Sequence, residues 1–410
     1  MGIALSIRHC LAGLAVLALV LAACNGGTSE ATDGGNGGNG GEDSILRTSE
    51  SCEGAAESEF FDAEECERQL SQRTIEPEGP ADEPWLQALE PEYVDTSEFA
   101  SEEDGSKICF SNAGVNNPWR VVGYNTMEHE VEIQTDAGEI SEFVHIDAGG
   151  DDNAQISDIS DLLGQECDAL IVSPNTTAAL TPAVEQACET GIPVITFDRG
   201  VNTDCPVTHI QPIGGYAFGA DAAEFIVDNV PEGGNVLMLR ILPGVDVLET
   251  RYAAGTAIFD QHGINVVGAE FTDGDPAQAK SIVSDYLQRE EIDGVWMDAG
   301  AVALGAIEAF EDAGLEVPPI TGEDQQDFLV KWSEDGLTAV APTYPTYQWR
   351  TPILAAVMIL NGEQVPSVWT LPEPVITDDN LDQYLQPDMP PLHYALCGCE
   401  EMPGFPEDWQ

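Results

Sequence analysis

Gly191-Ile-Pro-Val-Ile-Thr-Phe-Asp198-Arg199-Gly200 runs apolar for the length of one strand, then breaks off in an unlike-charge pair and a glycine. In an open α/β sheet, ligands bind in the crevice outside the carboxyl ends of the strands, so polar side chains at a strand's end point at the site. An aspartate beside an arginine offers acceptors and a planar donor fork, a combination suited to adjacent hydroxyls or to a carboxylate. The stretch therefore reads as a buried strand that carries a binding pair into a crevice. A loop salt bridge is the competing reading.

Working outward, the chain from Lys107 onward alternates short apolar runs with amphipathic stretches. Strands are expected at 108–111, 142–146, 169–172, 193–197, 235–239, 265–270, 294–297, 320–322 and 339–341. Helices are expected between them, at 119–134, 153–163, 177–190, 215–229, 247–262, 276–288, 302–313, 325–333 and 346–361. Several start well, such as the one at Asp275-Pro276, with proline in the first turn. Alternating strands and helices imply parallel sheets with right-handed crossovers. Two sheets are favoured over one, because Gln211-Pro-Ile-Gly-Gly215 closes four βα units as a loop and the later units begin afresh. Further chain crossings are expected at Pro342-Thr343-Tyr344-Pro345 and at 372–374. The fold class is α/β: two Rossmann-like lobes with parallel sheets, joined by a multi-crossing hinge. Lobe I comprises 106–212 plus 344–373, and lobe II 213–343 plus 374–396. Strand ends from both lobes then share a cleft, a preferred place for a ligand, and the crossings act as a hinge.

The ends carry other information. Arg8 and the apolar stretch 11–23 read as a signal segment, residues 1–23, too short for a comfortable membrane span. It closes on Leu21-Ala22-Ala23-Cys24, which resembles a bacterial lipobox and makes Cys24 the lipidation site and membrane anchor. An ordinary secretory signal ending by chance on a cysteine is the rival. A glycine-rich tether occupies 24–44, and an acidic extension 45–105, with Pro77, Pro80, Pro84 and Pro91 and one helical stretch near 63–71. A cysteine-containing tail occupies 397–410.

Across the chain, 74 acids face 13 Lys and Arg, a net charge of −61, which excludes nucleic acid as a partner. The acids are spread through the periodic segments, and 43% hydrophobic residues suffice for a core, so the charge reads as an acidic surface suited to concentrated salt. Binding of divalent cations is the alternative. Beyond Cys10 and Cys24, eight cysteines remain, an even number expected in disulfides of an oxidising compartment. Cys397-Gly-Cys399 has no partner pair at zinc-site spacing, and no metal is expected.

Six short motifs, in order and at strand-to-helix junctions, carry a resemblance. They are Ser111-Asn112-Ala-Gly-Val-Asn116-Asn117-Pro118-Trp119, Ile171-Val-Ser-Pro174-Asn175, Ile192-Pro-Val-Ile-Thr-Phe-Asp198-Arg199, Pro243-Gly244 leading to Arg251, Ala303-Leu-Gly-Ala-Ile-Glu308, and Gly322-Glu323-Asp324. From Lys107 to about Leu396 the chain resembles the periplasmic sugar-binding proteins of ABC transporters, in the ribose-binding-like branch of the type I fold. The resemblance implies a sugar or sugar-like ligand, a permease as partner, a monomer, and no cofactor or catalytic residue. It also implies a lining of Asn117, Trp119, Arg120, Asp198, Arg199, Arg251, Asp298, Asp324 and Thr343, with the Trp119 ring covering a sugar's C–H face.

The pattern departs from ribose binders at several points. Arg120 stands where a second aromatic is usual, Gly274 near a pocket phenylalanine, Ala299 near a pocket asparagine and Thr343 at a late glutamine. Ribose itself is thereby in doubt, and three arginines facing one cleft would favour an anionic ligand. A sensor presenting the same closed form to a membrane receptor is the alternative function. An enzyme is less favoured, because the six histidines are scattered, with no HExxH or His-linked nucleophile. Finally, the extension and the tail each hold two cysteines outside the resemblance, and a disulfide between the two segments is expected.

Overall fold

The computed structural model describes residues 52, 61–101, 105–400 and 402–406; the expected signal segment, Cys24 and the tether lie outside the described residues. In chain order the strands are β1 (Tyr93–Val94), β2 (Ser106–Asn112), β3 (Ile140–Asp147), β4 (Ala169–Ser173), β5 (Val194–Phe197), β6 (Thr208–Pro212) and β7 (Asn235–Arg240). They continue as β8 (Asn265–Phe271), β9 (Gly294–Met297), β10 (Ile320–Thr321), β11 (Ala339–Pro342), β12 (Val365–Pro366), β13 (Val368–Leu371) and β14 (Val375–Ile376). The helices are α1 (Ala63–Gln72), α2 (Pro118–Ala137), α3 (Asp152–Leu163), α4 (Thr177–Cys188), α5 (Gly215–Asn229) and α6 (Asp246–Gln261). After them come α7 (Pro276–Tyr286), α8 (Ala303–Ala313), α9 (Gln326–Asp335), α10 (Thr351–Leu360) and α11 (Leu381–Tyr384).

Two six-stranded sheets result. Lobe I has the order β13-β6-β5-β4-β2-β3, parallel throughout. Lobe II has the order β14-β11-β10-β9-β7-β8, parallel except for the antiparallel edge strand β14. The inner strands are apolar without alternation because helices cover both faces: every residue of β4, β5 and β9 is buried. The segment around Gln211, expected as a loop, instead forms β6. Its alternation of buried Ile210 with half-exposed His209 and Gln211 is short, and it becomes a strand because β13 pairs along its full length.

Three chain passages join the lobes, between β6 and α5, between β11 and the helical turn Thr346–Trp349, and between β13 and β14. Two further passages come from segments outside the sheets. In the extension, α1 lies on α5: Gln69 Oε1 accepts the N–H of Tyr216 at 2.9 Å, and Arg73 pairs with Asp221 at 2.6 Å in a buried contact. The chain then reaches lobe I, where the Leu89 N–H donates to Thr370 O at 2.8 Å and β1 pairs antiparallel with β12. The stretch from Tyr394 into the tail runs in the same sense. It bridges Gln325 through Tyr394, then accepts the Tyr347 N–H at Leu396 O, 3.2 Å.

The disulfides are Cys52–Cys66, Cys109–Cys167, Cys188–Cys205 and Cys397–Cys399. The expected bridge between extension and tail is therefore corrected. Cys66 packs with Tyr216 and Ala220 on lobe II, whereas Cys397 packs beside Val122 and Met402, so the two segments meet different surfaces. No helix among the described residues is long and apolar enough to cross a membrane.

Candidate ligand-binding cleft

Between the lobes lies a cavity of about 520 Å³. From lobe I it is lined by Asn116, Asn117, Trp119, Arg120, Asp198 and Arg199. At the end of β5, Asp198 adopts a left-handed backbone conformation, φ 68°, which aspartate tolerates better than most side chains. Its carboxylate accepts from the Arg120 guanidinium, whose other terminal nitrogen donates to Asn112 Oδ1 at 3.2 Å. Burial, reinforced by neighbouring Arg199, lowers the Arg120 guanidinium to about 10, so it remains charged at neutral pH. The Arg199 fork donates to Asn175 O at 2.6 Å. Asn117 caps α2 through Oδ1, which accepts the Arg120 N–H at 2.9 Å. The Trp119 indole N–H donates to Tyr344 O at 2.7 Å, which ties this ring to the hinge.

From lobe II, Arg251 reaches the cavity from α6. Gly219 makes this approach possible: a Cβ there would lie 2.1 Å from Arg251 O, so α5 and α6 pack at a distance only glycine allows. Arg251 donates to Asp298 O at 2.6 Å and to Glu323 Oε1 at 3.3 Å, and its guanidinium stacks 3.7 Å from the Phe218 ring centroid. Burial pushes the Glu323 carboxyl up, and Arg251 opposes it. The lobes also touch directly, where the Gly200 N–H donates to Asp246 Oδ2 at 2.7 Å.

Three expected residues do not line the cavity. Asp298 is buried beneath it, accepting the Ile241 N–H at 2.8 Å, and burial pushes its carboxyl up to about 7. Asp324 turns to the tail, where Oδ2 accepts the Leu396 N–H at 2.8 Å; burial likewise raises it to about 7. Thr343 donates to Pro374 O at 2.7 Å and so joins two hinge passages. In each case backbone groups within reach of the strand end claim the polar atom. Sequence reasoning missed Asp273, Glu323, Tyr344 and Tyr394 as lining residues. Glu323 could have been found as the neighbour of Asp324; Tyr394, far along the chain, gave no local signal. Ala299 and Gly274, noted as departures, do line the cavity.

Among the described residues, one group of candidate metal donors gathers outside the cleft. His393, Cys397 and Cys399 place their donor atoms within 4.8 Å of one another, with the two sulfurs joined as a disulfide.

Two parallel-sheet lobes, a multi-passage hinge and an interlobe cavity lined from strand ends define a type I periplasmic binding protein. The match to the periplasmic binding protein domain family spans residues 108–364, and the chain belongs to that family. Its relatives include the ribose import binding protein of Bacillus subtilis (strain 168), 29% identical over 266 residues, covering 65% of this chain and 85% of the relative. Another is a xylitol-binding protein of Mycolicibacterium smegmatis, 26% identical over 252 residues, covering 59% and 70%. Among solved structures, an ABC transporter solute-binding protein from Thermobispora bispora aligns with TM-score 0.65 at 24% identity, over 70% of this chain and 90% of that one. One from Bacillus halodurans with bound myo-inositol aligns with TM-score 0.61 at 23% identity, over 69% and 99%. The family's members are binding proteins, and the family is extracytoplasmic.

Proposed function

We propose that this chain is the solute receptor of an ABC importer and that its ligand is a neutral polyhydroxylated molecule, a sugar or polyol. The observation that carries this reading is the charge balance of the cavity. Arg120, Arg199 and Arg251 face Asp198, Glu323 and Asp273, so three cations meet three acids. Arg120 lies in the wall, but its charge is already paired with Asp198, and Arg251 with Glu323. Such a lining alternates donors and acceptors without an excess of positive charge, which suits hydroxyls better than a carboxylate. Trp119 adds an apolar face. This departs from the anionic ligand that three arginines alone would favour.

In this reading the ligand first occupies the Asp198–Arg199 fork. Rotation about the hinge then brings up Arg251, and the Gly200–Asp246 contact joins the lobes. Closure is favoured by the contacts available only in the closed form. A permease recognises that form, the protein acts as a monomer without catalysis, and an acylated Cys24 holds it to the membrane. The test is thermal unfolding with pentoses, hexoses, polyols and sugar acids. A true ligand at 100-fold excess over its Kd adds about 2.7 kcal/mol, visible as a raised midpoint. A shift with neutral ligands alone is expected; a shift with sugar acids alone overturns the neutral-ligand reading.

A further inference from the structure

The family match ends at residue 364, yet Tyr394 lines the cavity. The segment that carries it leads into the tail and is seated by three hydrogen bonds on the turn between β10 and α9. Ala395 N–H donates to Asp324 O, Leu396 N–H to Asp324 Oδ2 and Gln326 N–H to His393 O, each at 2.8 Å. Tyr394 itself is only 1% exposed. Its ring packs in one cluster with Val122, Met389 and Cys397, and Trp119 leans on the same cluster. A ring that borders a cavity while being almost wholly enclosed acts as an end wall: it limits the space rather than offering a broad contact face.

We propose that the tail is a built part of the ligand site and that Tyr394 is a specificity-determining residue, setting the length of ligand the closed cleft admits. This rests on the reading of the cleft as a receptor for polyhydroxylated ligands. Removing the ring opens space at the hinge end, loosens the fit of the short ligand and makes room for a longer one.

The experiment compares wild type, Tyr394→Ala and Tyr394→Leu in the full mature chain. Calorimetric titration uses a ladder of neutral ligands: a tetritol, pentoses and pentitols, hexoses and hexitols, and a disaccharide. The expected result is at least tenfold weaker binding of the wild-type ligand by Tyr394→Ala, with preference moved to a longer member of the ladder. Tyr394→Leu, which keeps apolar bulk and the tail's main-chain seat, should move the preference in the same direction, and it carries the test if the alanine variant does not fold. Unchanged affinities and an unchanged order in the folded variants overturn the proposal. Should wild type bind nothing in the ladder, the receptor reading falls; should wild type bind and both variants follow its order, only the role of Tyr394 falls.

Discussion

Lobe I and lobe II each end a central strand in acid, and the two acids behave differently. After β5, Asp198 turns into the cavity in a left-handed conformation and holds Arg120. After β10, Asp324 turns away from the cavity and holds the tail, while the preceding Glu323 takes the wall and pairs with Arg251. The same strand-end logic produced both. What distinguishes them is the neighbour: β5 ends beneath open cleft, whereas β10 ends beneath a segment that brings its own unpaired N–H groups. A strand-end carboxylate serves a ligand only where no main-chain donor claims it first.

The largest effect is expected at Asp198. Asp198→Ala leaves the Arg120 guanidinium buried without its partner, which should reduce stability by about 3–5 kcal/mol and abolish ligand binding. Denaturant unfolding and titration check both, and a variant of wild-type stability would refute the pairing. Asp324→Ala should have the smaller effect of about 1–3 kcal/mol, the loss expected when the Leu396 N–H is left without an acceptor. Hydrogen exchange at that amide should accelerate, while the Asp198 fork is untouched. Unaltered exchange would show that Asp324 does not seat the tail.

The pH response sharpens the contrast further. Asp221, Asp298 and Asp324 are pushed up to about 7 by burial, above their unfolded value near 4. The folded state then binds more protons than the unfolded state between those values. Their contribution to stability is therefore fully present below about 4 and lost as pH rises through 7. Asp324→Asn should flatten the fall in unfolding midpoint between pH 5 and 8, and an identical profile would remove Asp324 from the titrating set.

Much of the architecture was legible because it rests on periodicity. The run ending at Asp198 and those at β4, β7 and β9 are apolar and bounded by helix starts, so local pattern and buried strand agree. β6 and β13 were not legible: each is four or five residues long, carries polar residues, and is a strand by virtue of the other. In the site, Asn117, Trp119, Arg120, Asp198, Arg199 and Arg251 could be named because each stands beside a strand end or in the first two turns of a helix. Tyr394 could not, since its place depends on a tail that folds back over the hinge. The same limit explains the disulfides: pairing depends on which surface each segment meets, and a count of cysteines is silent on that.

The buried arginine pairs also determine what the molecule presents outward. Arg73, Arg120, Arg240, Arg251 and Arg350 keep between 2% and 9% of their side chains exposed, each against an acid. Among the described residues, Lys107, Lys280 and Lys331, at 21% to 34%, are left with Arg68 and Arg289 to offset a shell of carboxylates. The scarce cations act as internal rivets, and the exterior depends on mobile counterions for its neutrality. Near 0.01 M salt its self-repulsion extends over about 30 Å, and near 1 M over only about 3 Å. A docking permease would meet this ionic atmosphere before it meets the protein, so docking would begin with the displacement of bound counterions.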